Sequence, residues 1–204
     1  MSMRAPSICR FCRAAGEKLF LKGDRCLGAK CALTRRPFPA GQHGEKRRRK
    51  LSDYGHQLQE KQKARRLYNL SERQMRRFYG LAIKSRGNTG ERLLQLLESK
   101  LDNIVYRAGL AASRRAAAQL ITHGAVTING RKTKTPSALV KARDKIKVST
   151  APQEESITKK AETPEWMKVD LKAQEVTLDA LPGRDALPTT LEEQLIIEYY
   201  SRLL

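Results

Sequence analysis

Residues 1–150 of this 204-residue chain carry 35 Lys and Arg against 10 Asp and Glu, whereas residues 151–204 carry 6 against 11. The first part is therefore +25 and the tail −5. Charge of one sign at that density cannot be folded inward, because an unpaired buried ion costs several kcal/mol or more. It must lie outside, where it repels itself unless a polyanion neutralises it. Hydrophobic residues make up 40% of the chain, which is enough for real cores, so the charge clothes a folded protein and not a disordered tail.

All four cysteines lie in the first 31 residues, as Cys9-x2-Cys12 and Cys26-x4-Cys31. The chain has no apolar run long enough to span a bilayer, and its N-terminus lacks the apolar core of a signal peptide. A cytoplasmic setting is expected, where thiols are metal ligands or free more often than paired. Each short spacing can turn two sulfurs to one side of a knuckle, and the thirteen intervening residues let the second pair close a tetrahedron. Nearby Arg10, Arg13, Arg25 and Lys30 favour thiolate. One structural zinc held by Cys9, Cys12, Cys26 and Cys31 is the expectation; an iron–sulfur cluster and unliganded thiols stay open. Residues 1–50 show little periodicity, and a bound zinc supplies about 10–16 kcal/mol in comparable peptides, which is enough to staple such a segment.

From Leu51 the pattern becomes helical. Ser71 and Gln74 have the form of a capping box ahead of Met75, Phe78, Tyr79, Ala82 and Ile83. A turn over Gly87–Gly90 precedes a helix bearing Leu93, Leu94, Leu96, Leu97 and Leu101. Gly109 can end the next helix, Ser113 can cap another, and Gly124 can stop that one. The period then falls to two, with Asn129-Gly130 as a hairpin turn and Ile146 and Val148 alternating with lysines. The reading is α+β: a basic segment 1–50, a helical domain of 51–98 plus 190–204, a compact domain of two helices on a small antiparallel sheet over 99–150, and an extension 151–189 left without a structural assignment.

The cations fall into groups. Lys46-Arg47-Arg48-Arg49-Lys50 has no apolar partner in sequence, and five adjacent charges favour phosphate contact over a merely solvated run. Arg114 and Arg115 follow the cap Ser113 at the positive end of a helix dipole, a position an anion would relieve. Gln119 and His123 lie on successive turns of that helix, and Arg131, Lys132 and Lys134 flank the hairpin turn. Aromatic residues are only 5% of the chain, too few for rows of stacked bases, so folded RNA shape and phosphate geometry are the expected ligand.

Several runs resemble the family of small-subunit ribosomal protein four: Pro39-Ala40-Gly41-Gln42-His43-Gly44, Ser52-Asp53-Tyr54-Gly55, Glu60-Lys61-Gln62-Lys63, Ser71-Glu72-Arg73-Gln74, Leu101 to Arg107, Ser113-Arg114-Arg115, Val126 to Arg131 and Glu193 to Arg202. The resemblance implies a helical domain joined to a compact RNA-binding domain. It also implies a primary binder of small-subunit (16S) ribosomal RNA at a multi-helix junction of the 5′ domain, beginning subunit assembly there. Ribosomal proteins five and three and the incoming messenger RNA are the implied neighbours, with effects on decoding accuracy. Its metal ligands, where present, map onto the four cysteines. The expected RNA contacts extend to Lys61, Lys63, Arg73, Arg76, Arg77 and Arg107. One departure is Arg143 before Asp144, where the family often has Gly, so a different turn shape is expected there.

An enzyme is not expected. The RNA-binding module also occurs beside catalytic domains such as RNA pseudouridine synthases, but the 54 residues after 150 are too few for one, and His43, His56 and His123 form no acid–base set. No small-molecule substrate or membrane partner is implied. A zinc-dependent reader of duplex DNA is the other rival, and it lacks the dimerising heptads common to such proteins.

Overall fold

The computed structural model describes residues 7–46, 50–149, 164–183, 186 and 191–202. The block residues Arg47, Arg48 and Arg49 lie outside the described residues.

In the N-terminal segment the short helix α1 (Cys9–Ala15) ends at Gly16 in the left-handed conformation. A 3-10 turn (Gly23–Cys26) and one turn of helix, α2 (Ala32–Arg35), follow. Its small core is Cys12, Leu19 and Leu21, with Ile8, Phe11 and Leu67 packed against it. Arg13 pins the following loop by donating to the carbonyls of Phe38 and Pro39 at 2.6 and 3.0 Å.

The helical domain is built from α3 (Asp53–Leu67), α4 (Glu72–Ile83), α5 (Thr89–Glu98) and the terminal α8 (Glu193–Ser201). The expected capping box is present: the Ser71 hydroxyl accepts from the Gln74 N–H at 3.3 Å, and the Gln74 side chain accepts from the Ser71 N–H at 3.0 Å. Met75, Phe78, Tyr79, Ala82, Leu93, Leu94 and Leu97 form one core with Ile196, Tyr199 and Tyr200. The terminal helix thus closes the bundle. α5 begins earlier than expected, because Asn88 caps it through bonds from Gly90 N–H and Glu91 N–H. Gly90 is a close-approach residue and not a turn residue: a Cβ there would stand 2.5 Å from Glu193 Cγ and 3.1 Å from Ile197 Cδ1 of α8.

The second core joins α6 (Leu101–Arg107) and α7 (Arg114–Thr122) to an antiparallel sheet of order β2-β1-β3-β5-β4. β1 (Val126–Ile128) and β2 (Arg131–Lys132) are joined by Asn129-Gly130, both left-handed at φ 49° and 80°, as a type I′ turn requires. β3 (Lys145–Val148) buries Ile146 and Val148 and exposes Lys145 and Lys147. The sheet is larger than the sequence reading gave: β4 (Met167–Asp170) and β5 (Glu175–Leu178), from the unassigned extension, add two strands beside β3 and bury Trp166, Met167, Val176 and Leu178 in the same core. Arg143 takes φ 70°, an arginine in the left-handed region that favours glycine.

A buried polar network lies between the two cores. Glu98, 1% exposed, accepts from Tyr68 OH at 2.6 Å, Asn103 Nδ2 at 2.7 Å and both Arg107 Nε and Nη2 at 3.2 and 3.0 Å. Beside it, Lys100 Nζ reaches the Tyr68 carbonyl at 2.7 Å and Asp102 at 3.2 Å.

Candidate nucleic-acid interface

The cations of α7 divide sharply. Ser113 caps the helix by accepting from Ala116 N–H at 3.2 Å. Arg114 turns inward and is 8% exposed. Its Nε donates to Asn103 Oδ1 at 2.7 Å, and its guanidinium lies over the rings of Tyr106 and Tyr68 at 4.6 and 5.1 Å. This corrects the expectation that Arg114 is free for phosphate: rings on either side and a buried amide hold it as a core element. Arg115 is exposed, as are Gln119 and His123 further along the helix.

Arg131, Lys132 and Lys134 are exposed next to this helix, and the stem of Lys134 passes Gly124 just beyond its end. The sheet supplies more cations. Cross-strand partners share a face, so Lys132, Thr127, Lys147 and Glu175 form one row across β2, β1, β3 and β5. Lys145 and Lys147 alternate with the buried Ile146 and Val148 on that central strand, and both were missing from the expected contacts. Their signal was legible as a period-two lysine pattern, read for strand structure and not for function. The basic face ends at the added strands, where Asp170 and Glu175 pair and Lys168 is bound to Asp179 at 2.9 Å.

Other expected contacts are less available. Lys61 is 3% exposed, lies 4.5 Å above the Tyr199 ring, and is bound to Glu72 at 3.0 Å. Lys63 lies 2.8 Å from Glu17 and 3.3 Å from Glu60. Burial disfavours its charge, but the two carboxylates win and raise its pKa above the ordinary lysine value. Arg107 is committed to Glu98 in bidentate fashion. Lys61, Lys63 and Arg107 are thus held by carboxylates within the protein. Arg73, Arg76 and Arg77 are exposed along α4, with Arg76 no closer than 4.0 Å to Glu72. Lys50 is exposed ahead of α3.

Cys9 is half-buried and Cys12, Cys26 and Cys31 are buried, and all four are free thiols. Burial pushes the Cys12 thiol up, the Leu19 backbone N–H works against it, and the charges of the other three cysteines add to the rise. Cys31 goes the other way, lowered chiefly by the Thr34 backbone N–H. Among the described residues no group of three or more His, Cys, Asp or Glu is drawn closely enough to hold an ion. The donor set suits a tetrahedral thiophilic metal, while the sulfurs stand short of a closed coordination shell.

Residues 5–98 match the Ribosomal protein S4/S9 N-terminal domain family and residues 99–146 match the S4 domain. The protein named small ribosomal subunit protein uS4 from Acetivibrio thermocellus is 48% identical over 99% of this chain and 100% of its own length. The uS4 proteins of Syntrophomonas wolfei and Thermus thermophilus are 46% and 47% identical, covering 99% and 96% of this chain and 100% and 97% of their own lengths. The chain belongs to the uS4 family of small-subunit ribosomal proteins. Members of this family are structural proteins and not enzymes, and the S4 domain is their RNA-binding module. The cationic helix–sheet face of residues 113–147 falls within or next to that domain, whereas the strands that lower its charge lie beyond the matched segment.

Proposed function

We propose that this protein is a structural component of the small subunit of the cytoplasmic ribosome, and that it binds 16S ribosomal RNA at a multi-helix junction of the 5′ domain. The observation that carries the reading is the set of exposed basic and polar side chains carried by one helix–sheet unit: Arg115, Gln119 and His123 along α7 with Arg131 and Lys134 at the hairpin, and Lys132, Lys145 and Lys147 on the sheet face turned away from the core. Such a set reads phosphate geometry and the shape of folded RNA. Hydroxyl-radical footprinting of 16S ribosomal RNA with the purified protein tests it: protection confined to a 5′-domain junction is expected, and equal affinity for duplex DNA would overturn it.

One zinc ion held by Cys9, Cys12, Cys26 and Cys31 completes the N-terminal segment. Support comes from the Cys9-x2-Cys12 and Cys26-x4-Cys31 spacing and from an all-thiol donor set, although the four sulfurs are not drawn together among the described residues. When bound, the ion cross-links α1 to the stretch between the 3-10 turn and α2, a structural role with no open position for chemistry. Elemental analysis of protein prepared under reducing conditions should give one zinc per chain; iron or no metal would refute this.

Ribosomal proteins five and three are the proposed protein neighbours, on the side where messenger RNA enters, with Lys46 to Lys50 near its path. Support is the family resemblance together with a C-terminal part of net negative charge, which is unsuited to RNA and suited to a protein contact. Crosslinking from α8 in assembled subunits tests it: capture of neither protein would refute the assignment.

A further inference from the structure

A cavity of about 450 Å³ opens between the N-terminal segment, the end of α3 and the start of α7. Its lining includes Lys22, Arg65, Arg66 and Arg115 and no carboxylate. Arg65 and Arg66 occupy the last turn of α3, which the helix dipole favours. That alone does not explain them, since their own carbonyls already accept from the Leu70 and Asn69 N–H groups in a Schellman-type end with Asn69 at φ 52°. Arg115 arrives from the opposite kind of helix end, where a cation is disfavoured and an anion welcome.

Arg66 is the centre of the arrangement. Its guanidinium stacks on the Phe11 ring at 4.7 Å, and its Nε is buried with no hydrogen-bond partner among the described residues. Burial, then the charges of Arg65 and Arg10, depress its pKa below the ordinary arginine value. The nearest compensation in the cluster is Glu72, 3.7 Å from Arg65, and it is already bound to Lys61. A buried donor on a cation without an acceptor is costly, and four cations facing one void compound the cost. The missing partner is an anion with several acceptor oxygens.

We propose that this cavity is a phosphate-binding site, taking a backbone phosphodiester of the bound RNA between Arg66 and Arg115, with Arg65 and Lys22 at its rim. The proposal rests on the RNA-binding reading for the source of the phosphate; a free phosphate ion would satisfy the same groups. One wall is the N-terminal segment, through Ile8, Phe11 and Leu21, and the other is α3 and α7. The anion therefore ties the segment to the rest of the molecule. Gly23 seals the same junction, since a Cβ there would stand 2.8 Å from the Ala112 carbonyl oxygen.

The test uses the full-length, metal-loaded protein with Arg66→Gln, Arg66→Lys, Arg115→Gln and, as a distant control, Lys168→Gln. Affinity for 16S ribosomal RNA and its salt dependence are measured alongside the melting temperature in inorganic phosphate and in chloride of equal ionic strength. Arg66→Gln and Arg115→Gln should each weaken RNA binding about tenfold and flatten the log–log salt slope by about 0.7 to 0.9. Arg66→Lys, which keeps the charge but loses the guanidinium stacked on Phe11 and its Nε donor, should restore the salt slope but only part of the affinity, and the control should stay within about twofold. Because Arg115 is exposed, its variant keeps the test valid if Arg66→Gln folds poorly. Phosphate-specific stabilisation lost in the variants, with RNA affinity unchanged, would overturn the RNA assignment in favour of a free phosphate ion. Variants matching the control in both measurements would overturn the site altogether. Wild-type protein that fails to prefer ribosomal RNA would instead sink the RNA-binding reading, while the phosphate measurement still reports on the cavity.

Discussion

Two adjacent arginines with the same sequence logic have opposite fates here. Arg114 and Arg115 both follow a serine cap, and nothing in their local spacing separates them. What separates them is long-range: Tyr68 and Asn103 come from α3's end and α6 to enclose Arg114. Arg114→Ala should cost about 2–3 kcal/mol of stability, because it strips a charge-assisted bond and leaves the Asn103 oxygen buried without it. Arg115→Ala should stay within about 0.5 kcal/mol in stability while weakening RNA binding. Chemical denaturation of the two single variants checks this, and equal destabilisation by both would contradict it. Glu98 gives the residue scale a pH signature. Burial pushes its pKa up, but Arg107 and Arg114 and the bonds from Arg107 and Tyr68 more than offset that, leaving it below its ordinary value of 4.5. A depressed carboxylate contributes stability above the unfolded pKa and loses it as pH falls through the folded one. The melting temperature should therefore fall as pH drops below about 4.5. Glu98→Gln should lower stability at neutral pH and flatten that fall; an unchanged acid profile would show that other carboxylates carry it.

Among the elements, those with local signals were the legible ones. The capping box at Ser71, the Ser113 cap, the Asn129-Gly130 turn and the alternation around Ile146 each write their structure within a few residues, and each is found. β4 and β5 do not show in the sequence because Met167–Asp170 and Glu175–Leu178 are short, mixed with Lys, Glu and Asp, and are strands only through pairing of β5 with β3 and of β4 with β5. The site followed the same rule. Exposed cations on α7 and the hairpin could be read from position, whereas the internal pairing of Lys61 with Glu72 and Arg107 with Glu98 depends on contacts no spacing reveals. Two turns carry the element-scale predictions. Arg143 pays the left-handed penalty of roughly 1 kcal/mol that glycine avoids, so Arg143→Gly should raise the melting temperature slightly; a fall would mean the side chain makes up the strain. Gly90→Leu should drive α8 off α5, since even a Cβ there meets Glu193 and Ile197. Loss of amide-exchange protection in α8, with the sheet domain unchanged, is the expected result.

At the level of the whole molecule the charge is sorted by strand and not only by sequence half. Lys132 and Lys147 stand on the β2-β1-β3 part of the outer sheet face, and moving across β5 to β4 the same surface turns to Glu175 and Asp170. An RNA backbone lying along this surface is attracted at one end and repelled at the other, which confines it to the β2-β1-β3 part of the sheet. The consequence is measurable through counterion release, because each neutralised phosphate adds about 0.7 to 0.9 to the log–log salt slope. With about six to ten phosphates neutralised, the slope should lie between about −4 and −9. Lys132→Gln and Lys147→Gln should each flatten it by about one contact. Lys168→Gln, whose charge is already spent on Asp179, should leave it unchanged. Replacing Asp170 and Glu175 by Asn and Gln should strengthen non-specific binding more than binding to ribosomal RNA, since it removes the repulsion that rejects misplaced backbones. Filter-binding titrations across salt concentrations decide the matter: a slope insensitive to Lys132 and Lys147 would move the RNA off the sheet and onto α4 and the N-terminal segment.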